Sequence, residues 1–420
     1  MRSEVPFVCV LGLGYIGLPT AALIASRGIQ VLGVDTNPSV VATVGAGNIH
    51  IAEADLDGLV QKCVMSGRLR TRSEPERADV YLIAVPTPLS GNKKPVVDYV
   101  HNAVRSIASH LSRGSLVILE STCPVGTTEQ VCNILASLRP DLTFPDPNDP
   151  DAEADVCIAY CPERVLPGRI LIELVQNDRC VGGLTPRCAS RARQFYELFV
   201  RGTCVETQAR TAEMVKLTEN AYRDTNIAFA NELSLICDEV EVDVWDVIQI
   251  ANRHPRVNIL NPGPGVGGHC IAVDPWFIVD AAPREARLIR VSREVNDGKA
   301  HYVSQQAAHV IETYPDRPVA CLGLTFKANV DDLRESPALE IVESLAEMYG
   351  GKISVVEPYV EELPKTLTQH GVKKIDLDDA LAESGILIVL VDHEEFRRVS
   401  SGQRDGAVIY DTRGIWRQPQ

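Results

Sequence analysis

Aromatic side chains are scarce in the 420 residues: Phe, Trp and Tyr make up 5 %, with three tryptophans and four methionines. The core must therefore be built from aliphatic side chains rather than stacked rings. Positive charge is also in deficit, 41 Lys and Arg against 56 Asp and Glu, a formal net charge of −15. Such a field repels phosphate backbones; it argues against nucleic acid as a partner and requires a local cluster of cations wherever an anionic substrate binds. No C-x-x-C pair occurs among the 12 cysteines, which are scattered from Cys9 to Cys321. Neither a zinc knuckle nor a disulfide framework is written in that spacing, so thiols in a reducing cytosol and no metal are expected. One run, Phe7–Ala25, lacks charge over 19 positions, about the length of a membrane span. Three glycines and Pro19 interrupt it, and its first five residues read as a buried strand that breaks at Gly12. No membrane span and no signal peptide are expected, and the chain reads as soluble and cytoplasmic.

What remains is ordinary globular composition, 45 % apolar and 23 % charged, long enough for several domains. Short apolar runs at Phe7–Leu11, Val31–Val34, Val80–Val85, Leu116–Leu119 and Val156–Tyr160 alternate with helical stretches, the pattern of a parallel sheet covered by helices. A stretch rich in proline and aspartate, 140–155, reads as a surface loop before the last strand of that domain. From Thr211 to Val240 neither Gly nor Pro occurs, which predicts one long helix, and helical pattern resumes over 286–308. The final hundred residues repeat the opening theme with strands at Val319–Gly323, Ile353–Val356, Ile386–Val391 and Val408–Tyr410, and Val34-Asp35-Thr36-Asn37-Pro38 is echoed by Val356-Glu357-Pro358. The expected fold is α/β, two doubly wound Rossmann-like domains (1–205 and 311–420) joined by a central helical region (206–310).

Gly12-Leu13-Gly14-Tyr15-Ile16-Gly17 follows a strand and opens a helix. In this G-x-G-x-x-G pattern the first glycine permits the tight turn, the second lets the backbone approach a pyrophosphate, and the third lets helix and strand pack closely. Asp35 ends the second strand 18 residues past Gly17, where a carboxylate accepts hydrogen bonds from ribose hydroxyls and repels a 2′-phosphate; NAD is favoured over NADP. On the long helix Lys216, Asn220 and Arg223 share one face. Periodicity leaves two readings open, a solvated polar stripe or a row facing a bound molecule.

Asn261–Cys270 holds four glycines in six positions and delivers one cysteine ahead of a helix expected over 271–279. A thiol at a helix N-terminus or near a cation becomes a usable nucleophile. Asp274 would share the face of Cys270 if that segment is helical, and His269 either assists or is a structural neighbour. Arg253-His254-Pro255-Arg256, Lys327 and Arg334 are candidate phosphate ligands; the alternative is surface pairing with acids, with Asp331 and Asp332 at hand.

Taken together, GLGYIGLP (12–19), AVPTP (84–88), ESTCPVGTT (120–128), CPER (161–164), EMVKLTENAYRD (213–224), GPGVGGHC (263–270) and GLTFKANVDDLRESPA (323–338) resemble the UDP-glucose/GDP-mannose dehydrogenase family over nearly the whole chain. The resemblance implies oxidation of the C6 alcohol of a nucleotide sugar to a carboxylate with two NAD per sugar, in a homodimer. It places Cys270 on the nucleophile, whose thiohemiacetal and thioester carry the intermediates, Lys216 on the lysine that steadies negative oxygen, and Asn220 beside it. Asp274, Thr122 and Glu163 match residues that position or activate water. By the same likeness Gly12, Gly14, Tyr15, Ile16, Gly17, Asp35, Val85, Thr87, Thr122 and Arg334 hold NAD. Arg164, Val165, Lys216, Asn220, Arg223, His254, Arg256, Gly267, Phe326, Lys327 and Arg413 line the UDP-sugar site. After the cysteine this chain has Ile271-Ala272-Val273-Asp274 where UDP-glucose enzymes usually carry Phe-Pro-Lys-Asp. CPERVLPG, NRHPRVNIL and HCIAVDPWF instead look like the branch acting on UDP-N-acetyl-D-mannosamine to make a uronic acid for surface polysaccharide, with UDP-N-acetyl-D-glucosamine, then UDP-glucose, as alternatives. Gly414 stands where many relatives have Asn.

Overall fold

The computed structural model describes residues 5–417 except Ala52 and Pro167. The chain divides into two compact units, 1–219 and 220–420. Among the described residues no helix is long and apolar enough to cross a membrane.

The first unit is built on an eight-stranded sheet of β1 (Phe7–Leu11), β2 (Gln30–Val34), β3 (Leu69–Arg72), β4 (Val80–Ile83), β5 (Leu116–Leu119), β6 (Cys157–Tyr160), β7 (Arg179–Gly183) and β8 (Cys204–Gln208). Its order is β3-β2-β1-β4-β5-β6-β7-β8. The first six strands are parallel in the order of dinucleotide-binding sheets, while β7 runs antiparallel to β6 and β8 parallel to β7. Helices α1 (Gly17–Ser26), α2 (Pro38–Gly45), α3 (Leu56–Met65), α4 (Asp98–Ile107), α5 (Thr127–Leu138), α6 (Ile170–Gln176) and α7 (Pro186–Tyr196) belong to it, and α8 (Ala209–Glu239) starts in it. The apolar runs follow from two-sided burial: Val8 and Val10 of β1 enter one core while Cys9 and Leu11 enter the other, so neither face of the strand tolerates a polar residue.

Three strands that the apolar runs do not announce belong to this sheet. β3 and β8 are the edge strands, with mixed exposure, and β7 begins on an arginine. The proline- and aspartate-rich stretch consequently precedes β6, two strands before the end of the sheet, and not the last strand.

The second unit carries a fully parallel five-stranded sheet of β9 (Val319–Leu322), β10 (Ile353–Val356), β11 (Lys373–Lys374), β12 (Ile386–Val389) and β13 (Val408–Asp411), in the order β11-β10-β9-β12-β13. Again alternate residues of the central strand feed two cores, Val319 and Cys321 one, Ala320 and Leu322 the other. Helices α9 (Val244–Ala251), α10 (Asp274–Ala281) and α11 (Arg287–Thr313) precede the sheet; α12 (Pro337–Tyr349), α13 (Lys365–Thr368), α14 (Leu377–Glu383) and α15 (Glu394–Arg397) cover it. The two doubly wound sheets and the helices between them are those expected from the sequence. All twelve cysteines are thiols.

Candidate active site

In the first unit the glycine turn explains itself residue by residue. Gly12 has φ +90°, and a Cβ there would lie 2.6 Å from the Ala84 carbonyl oxygen; at Gly17 it would lie 1.8 Å from the Gly12 oxygen. Protein packing alone demands both. At Gly14 a Cβ would meet nothing within 4 Å, so the protein leaves open the position at which a pyrophosphate must come close. Tyr15 and Ile16 are half-buried, and Ile16, the N-cap residue of α1, makes no side-chain cap hydrogen bond. Leu18 N–H bonds back to the Gly14 carbonyl at 3.1 Å, and no side chain caps the start of α1, a helix N-terminus of the kind that favours an anion. The Asp35 carboxylate accepts hydrogen bonds from the Leu13 N–H (2.9 Å) and the Asn37 N–H (2.8 Å), which set it at the end of β2. These groups fit NAD, and the chain's residues that would hold it are those of the turn, Asp35 and the following loops. There Thr87 Oγ1 donates to the Thr122 carbonyl at 2.5 Å, and Ser121 Oγ to the Val85 carbonyl at 2.7 Å. Val85, Thr87 and Thr122 are thus brought together.

Glu163, at 7 % exposure, is held by two donors. Arg164 N–H reaches one oxygen at 2.7 Å and Arg179 Nη1 the other at 2.6 Å. Arg179 is itself buried and stacks 5.1 Å from the Tyr196 ring, whose hydroxyl donates to Glu120 at 2.6 Å. The second Glu120 oxygen has no hydrogen-bond partner among the described residues, and burial, outweighing the pull of Arg179, pushes this carboxyl up to about 7. Sequence reading missed Arg179, Tyr196 and Glu120; an arginine opening an apolar strand was the available signal. The Arg164 guanidinium pairs with Glu219 at 2.7 Å and donates to the Asp178 carbonyl, while Val165 packs against the core.

On α8, Lys216 and Asn220 are half-buried, whereas Arg223 is exposed. The polar row is therefore graded, with its first two members drawn inward. Glu213, fully buried on the same helix, accepts from Gly126 N–H, Thr128 N–H and the Thr128 hydroxyl, tying α8 to the start of α5.

In the second unit Asn220 Nδ2 donates to Asp274 Oδ2 at 2.5 Å. Asp274, at 3 % exposure, begins α10. The helix expected from residue 271 starts three residues later, because Cys270 to Val273 form a turn in which the Cys270 carbonyl accepts from both Val273 N–H (3.1 Å) and Asp274 N–H (2.8 Å). That i to i+4 bond keeps Asp274 one turn from the half-buried Cys270. The loop before it is pressed against neighbours: a Cβ at Gly267 would lie 2.4 Å from the Glu335 oxygen and 2.8 Å from Phe326 Cβ, and one at Gly268 (φ +80°) 2.9 Å from the Phe326 ring. Gly267, Phe326 and the backbone of Arg334, which accepts from Gly268 N–H at 3.3 Å, thus meet.

The remaining cations differ in setting. Lys327 is exposed, and Arg334 folds back on Asp332 at 2.6 Å, the acid pairing left open by sequence. His254 and Arg256 are exposed on the loop after α9, where Arg256 N–H donates to His254 Nδ1 at 3.4 Å. Arg413 pairs with Asp392 at 2.9 Å, and its Nη1 occupies the space beside Gly263, 2.3 Å from where a Cβ would stand. Against burial, Arg413 and then Arg397 hold the Asp392 carboxyl below its usual range. Gly414 has a physical reason: its φ is +63°, and a Cβ would lie 2.7 Å from the Trp245 indole.

Three domain profiles of the UDP-glucose/GDP-mannose dehydrogenase family match the chain in order: the NAD binding domain over 7–200, the central domain over 210–298 and the UDP binding domain over 320–418. The chain is 56 % identical over 409 residues to the NDP-N-acetyl-D-galactosaminuronic acid dehydrogenase of Ralstonia nicotianae, covering 97 % of this chain and 96 % of that protein. It is 54 % identical over 419 residues to the UDP-N-acetyl-D-mannosamine dehydrogenase of Salmonella typhi, covering 98 % and 99 %. Among solved structures, the UDP-N-acetyl-mannosamine dehydrogenase of S. aureus superposes with a TM-score of 0.86 at 40 % identity, covering 98 % of this chain and 96 % of that one. The chain belongs to the UDP-glucose/GDP-mannose dehydrogenase family. It is an NAD-dependent nucleotide-sugar 6-dehydrogenase.

Proposed function

We propose that this enzyme oxidises the C6 alcohol of UDP-N-acetyl-D-mannosamine to the carboxylate, a four-electron reaction supplying a uronic acid for surface polysaccharide. The observation that carries the covalent route is the Asn220–Asp274 hydrogen bond at 2.5 Å, with Asp274 one backbone turn after Cys270. NAD, when bound, supplies the hydride acceptor for both oxidations.

The chain's own residues do the rest. Lys216 steadies the developing negative oxygen. The Cys270 sulfur adds to the C6 aldehyde to give a thiohemiacetal, and the second oxidation leaves a thioester. Water then cleaves the C–S bond, returning the thiol and releasing the carboxylate with a proton. Asp274, held by Asn220, Thr122 and Glu163 together position and activate that water. The tight Arg179 contact on Glu163 favours a positioning role for this carboxylate, because one oxygen is already taken by the guanidinium and the other by Arg164 N–H. Phe326 and the 263–270 loop, with Arg164, Arg256, Lys327 and Arg413, recognise the UDP-sugar. Homodimer formation is supported by exposed Tyr222, Phe229 and Ile236, seven residues apart on α8 and 72 %, 55 % and 52 % exposed, an apolar stripe of the kind that partner surfaces cover.

A second reading of the sugar has its own support, since the Ralstonia relative is named for a galacto-configured uronic acid. A panel of the manno, gluco and galacto UDP-N-acetylhexosamines, with NADH counted against sugar consumed, separates these readings. Two NADH per manno sugar is expected. Rapid turnover of another epimer with none of the manno sugar would overturn the choice, and one NADH per sugar would overturn the four-electron route.

A further inference from the structure

Helices α8 and α11 meet along a buried seam that is polar where an aliphatic one would suffice. Asp224 and Arg293, 0 % and 1 % exposed, pair at 2.5 Å, and Arg293 also pairs with Asp297. Asn296 Nδ2 donates to the Asp224 carboxylate at 2.8 Å and to its carbonyl at 3.0 Å. Asn231 Nδ2 donates to Asn296 Oδ1 at 2.8 Å, and Lys299 Nζ to Ser234 Oγ at 2.7 Å. Replacing such buried ionic groups by well-packed apolar ones is often neutral or stabilising, so stability alone is a poor reason for the seam. Its directional bonds, by contrast, fix how the side chains point.

One bond leaves the seam. The Asn231 side-chain oxygen accepts the Gly263 N–H at 2.9 Å, and Asn231 is 0 % exposed. Gly263 opens the glycine-rich run that ends at Cys270. Four glycines between 263 and 268 give that run great conformational freedom, so the place of the thiol depends on the anchors at its ends. Asn231 holds the beginning and the Arg334 carbonyl takes Gly268 N–H. Because Asn296 spends its oxygen on the Asn231 amide, the Asn231 oxygen is turned toward the loop and cannot swing away without breaking the chain of donors back to Asp224.

We infer that Asn231 is a positioning residue of the thiol loop: its buried side-chain oxygen, aimed by the Asp224–Arg293–Asn296 seam, fixes Gly263 and thereby the path of the chain to Cys270. This rests on the reading of Cys270 as nucleophile. The test uses the full-length enzyme, with the UDP-sugar that yields NADH and three variants, Asn231→Ala, Asn296→Ala and the double. Displacing a reacting group by about 1 Å costs on the order of a hundredfold, so Asn231→Ala should lower kcat per folded site about tenfold or more while KM for NAD stays within about twofold. Asn296→Ala should lower kcat by about threefold or more, and the double variant should fall no further than Asn231→Ala, as expected of residues acting in one network. A lowered Tm with kcat within about twofold of wild type in Asn231→Ala overturns the inference. If that variant does not fold, Asn296→Ala decides on the same criterion. Cys270→Ser is run alongside: its inactivity with an active Asn231→Ala sinks the anchor alone, whereas full activity of Cys270→Ser sinks the nucleophile reading and the anchor with it.

Discussion

The two nucleotide-binding sheets solve one backbone problem identically and then diverge. In each, a glycine follows the first strand, Gly12 at φ +90° and Gly323 at φ +93°, and donates its N–H to the end of the neighbouring strand, to Val34 O at 2.8 Å and Val356 O at 2.9 Å. In each, a carboxylate at that strand end takes the next N–H: Leu13 to Asp35 at 2.9 Å, Leu324 to Glu357 at 2.7 Å. Its second oxygen takes the N–H two residues on, Asn37 or Tyr359. The difference lies in what covers the carboxylate. Asp35 is half-exposed. Glu357 is 1 % exposed beneath His393, whose Nε2 lies 3.3 Å away and whose Nδ1 accepts the Asn329 N–H at 2.9 Å. After Gly12 the chain enters α1 within five residues; after Gly323 it wanders to Pro337 before α12 begins, and that detour carries Phe326, Lys327 and Arg334. The carboxylate at that strand end is thus left partly open in one unit and is a buried loop post in the other.

The largest expected effect falls outside both sheets. Cys270→Ser should cut uronate formation by about a thousandfold or more while calorimetry finds NAD and UDP bound as before; acid made at the wild-type rate would contradict the covalent route. Next, Asp35→Asn weakens charge-assisted hydrogen bonds worth about 1.5–3 kcal/mol and should raise KM for NAD about ten- to a hundredfold. Glu357→Gln should leave that KM within about twofold and lower Tm by several degrees, as loss of a buried hydrogen-bonded charge does. Equal KM effects from the two substitutions would break the comparison. A third contrast lies within the first turn: Gly14→Ala should keep Tm and weaken NAD binding, whereas Gly17→Ala, whose Cβ would sit 1.8 Å from the Gly12 oxygen, should lower Tm itself.

The smallest effect is electrostatic and opposite in sign between the units. Glu357 is held low, the His393 bond and backbone N–H donors outweighing burial, so its contribution is present above the ordinary glutamate value and is lost as pH falls through its lower folded value. Glu120 is pushed up by burial to about 7, so its contribution is complete below the ordinary value near 4.5 and is lost as pH rises toward about 7. Glu120→Gln should flatten the fall in Tm between those limits, and Glu357→Gln should flatten the acid limb. Unchanged pH profiles of Tm would refute both assignments.

Much of this was legible in the chain. The G-x-G-x-x-G turn, Asp35, the long helix over 211–240, the cysteine loop and the echo of Asp35 in Glu357 all rest on local spacing, and local spacing is what periodicity reads. The edge strands were not legible, because β3 and β8 have little to bury and so carry no apolar run. Nor was the start of α10, which a turn closing on the Cys270 carbonyl delays to Asp274. The groups behind the candidate site were the most deeply hidden: Arg179 meets Glu163, and Asn231 meets Gly263, across gaps in sequence that no pattern spans.

Sequence by itself determined the two alternating α/β sheets and the preference for NAD, and it nominated one cysteine of twelve, since each reading follows from residue types at short range. Only the tertiary structure decided which polar groups those residues lean on: that Glu163 is ion-paired, that Asp274 is held by Asn220, that Glu357 is buried under a histidine, and that Gly414 is forced by Trp245. A hydrogen bond or a steric contact between distant residues depends on how the elements pack, and packing is a property of the folded chain rather than of any stretch of it.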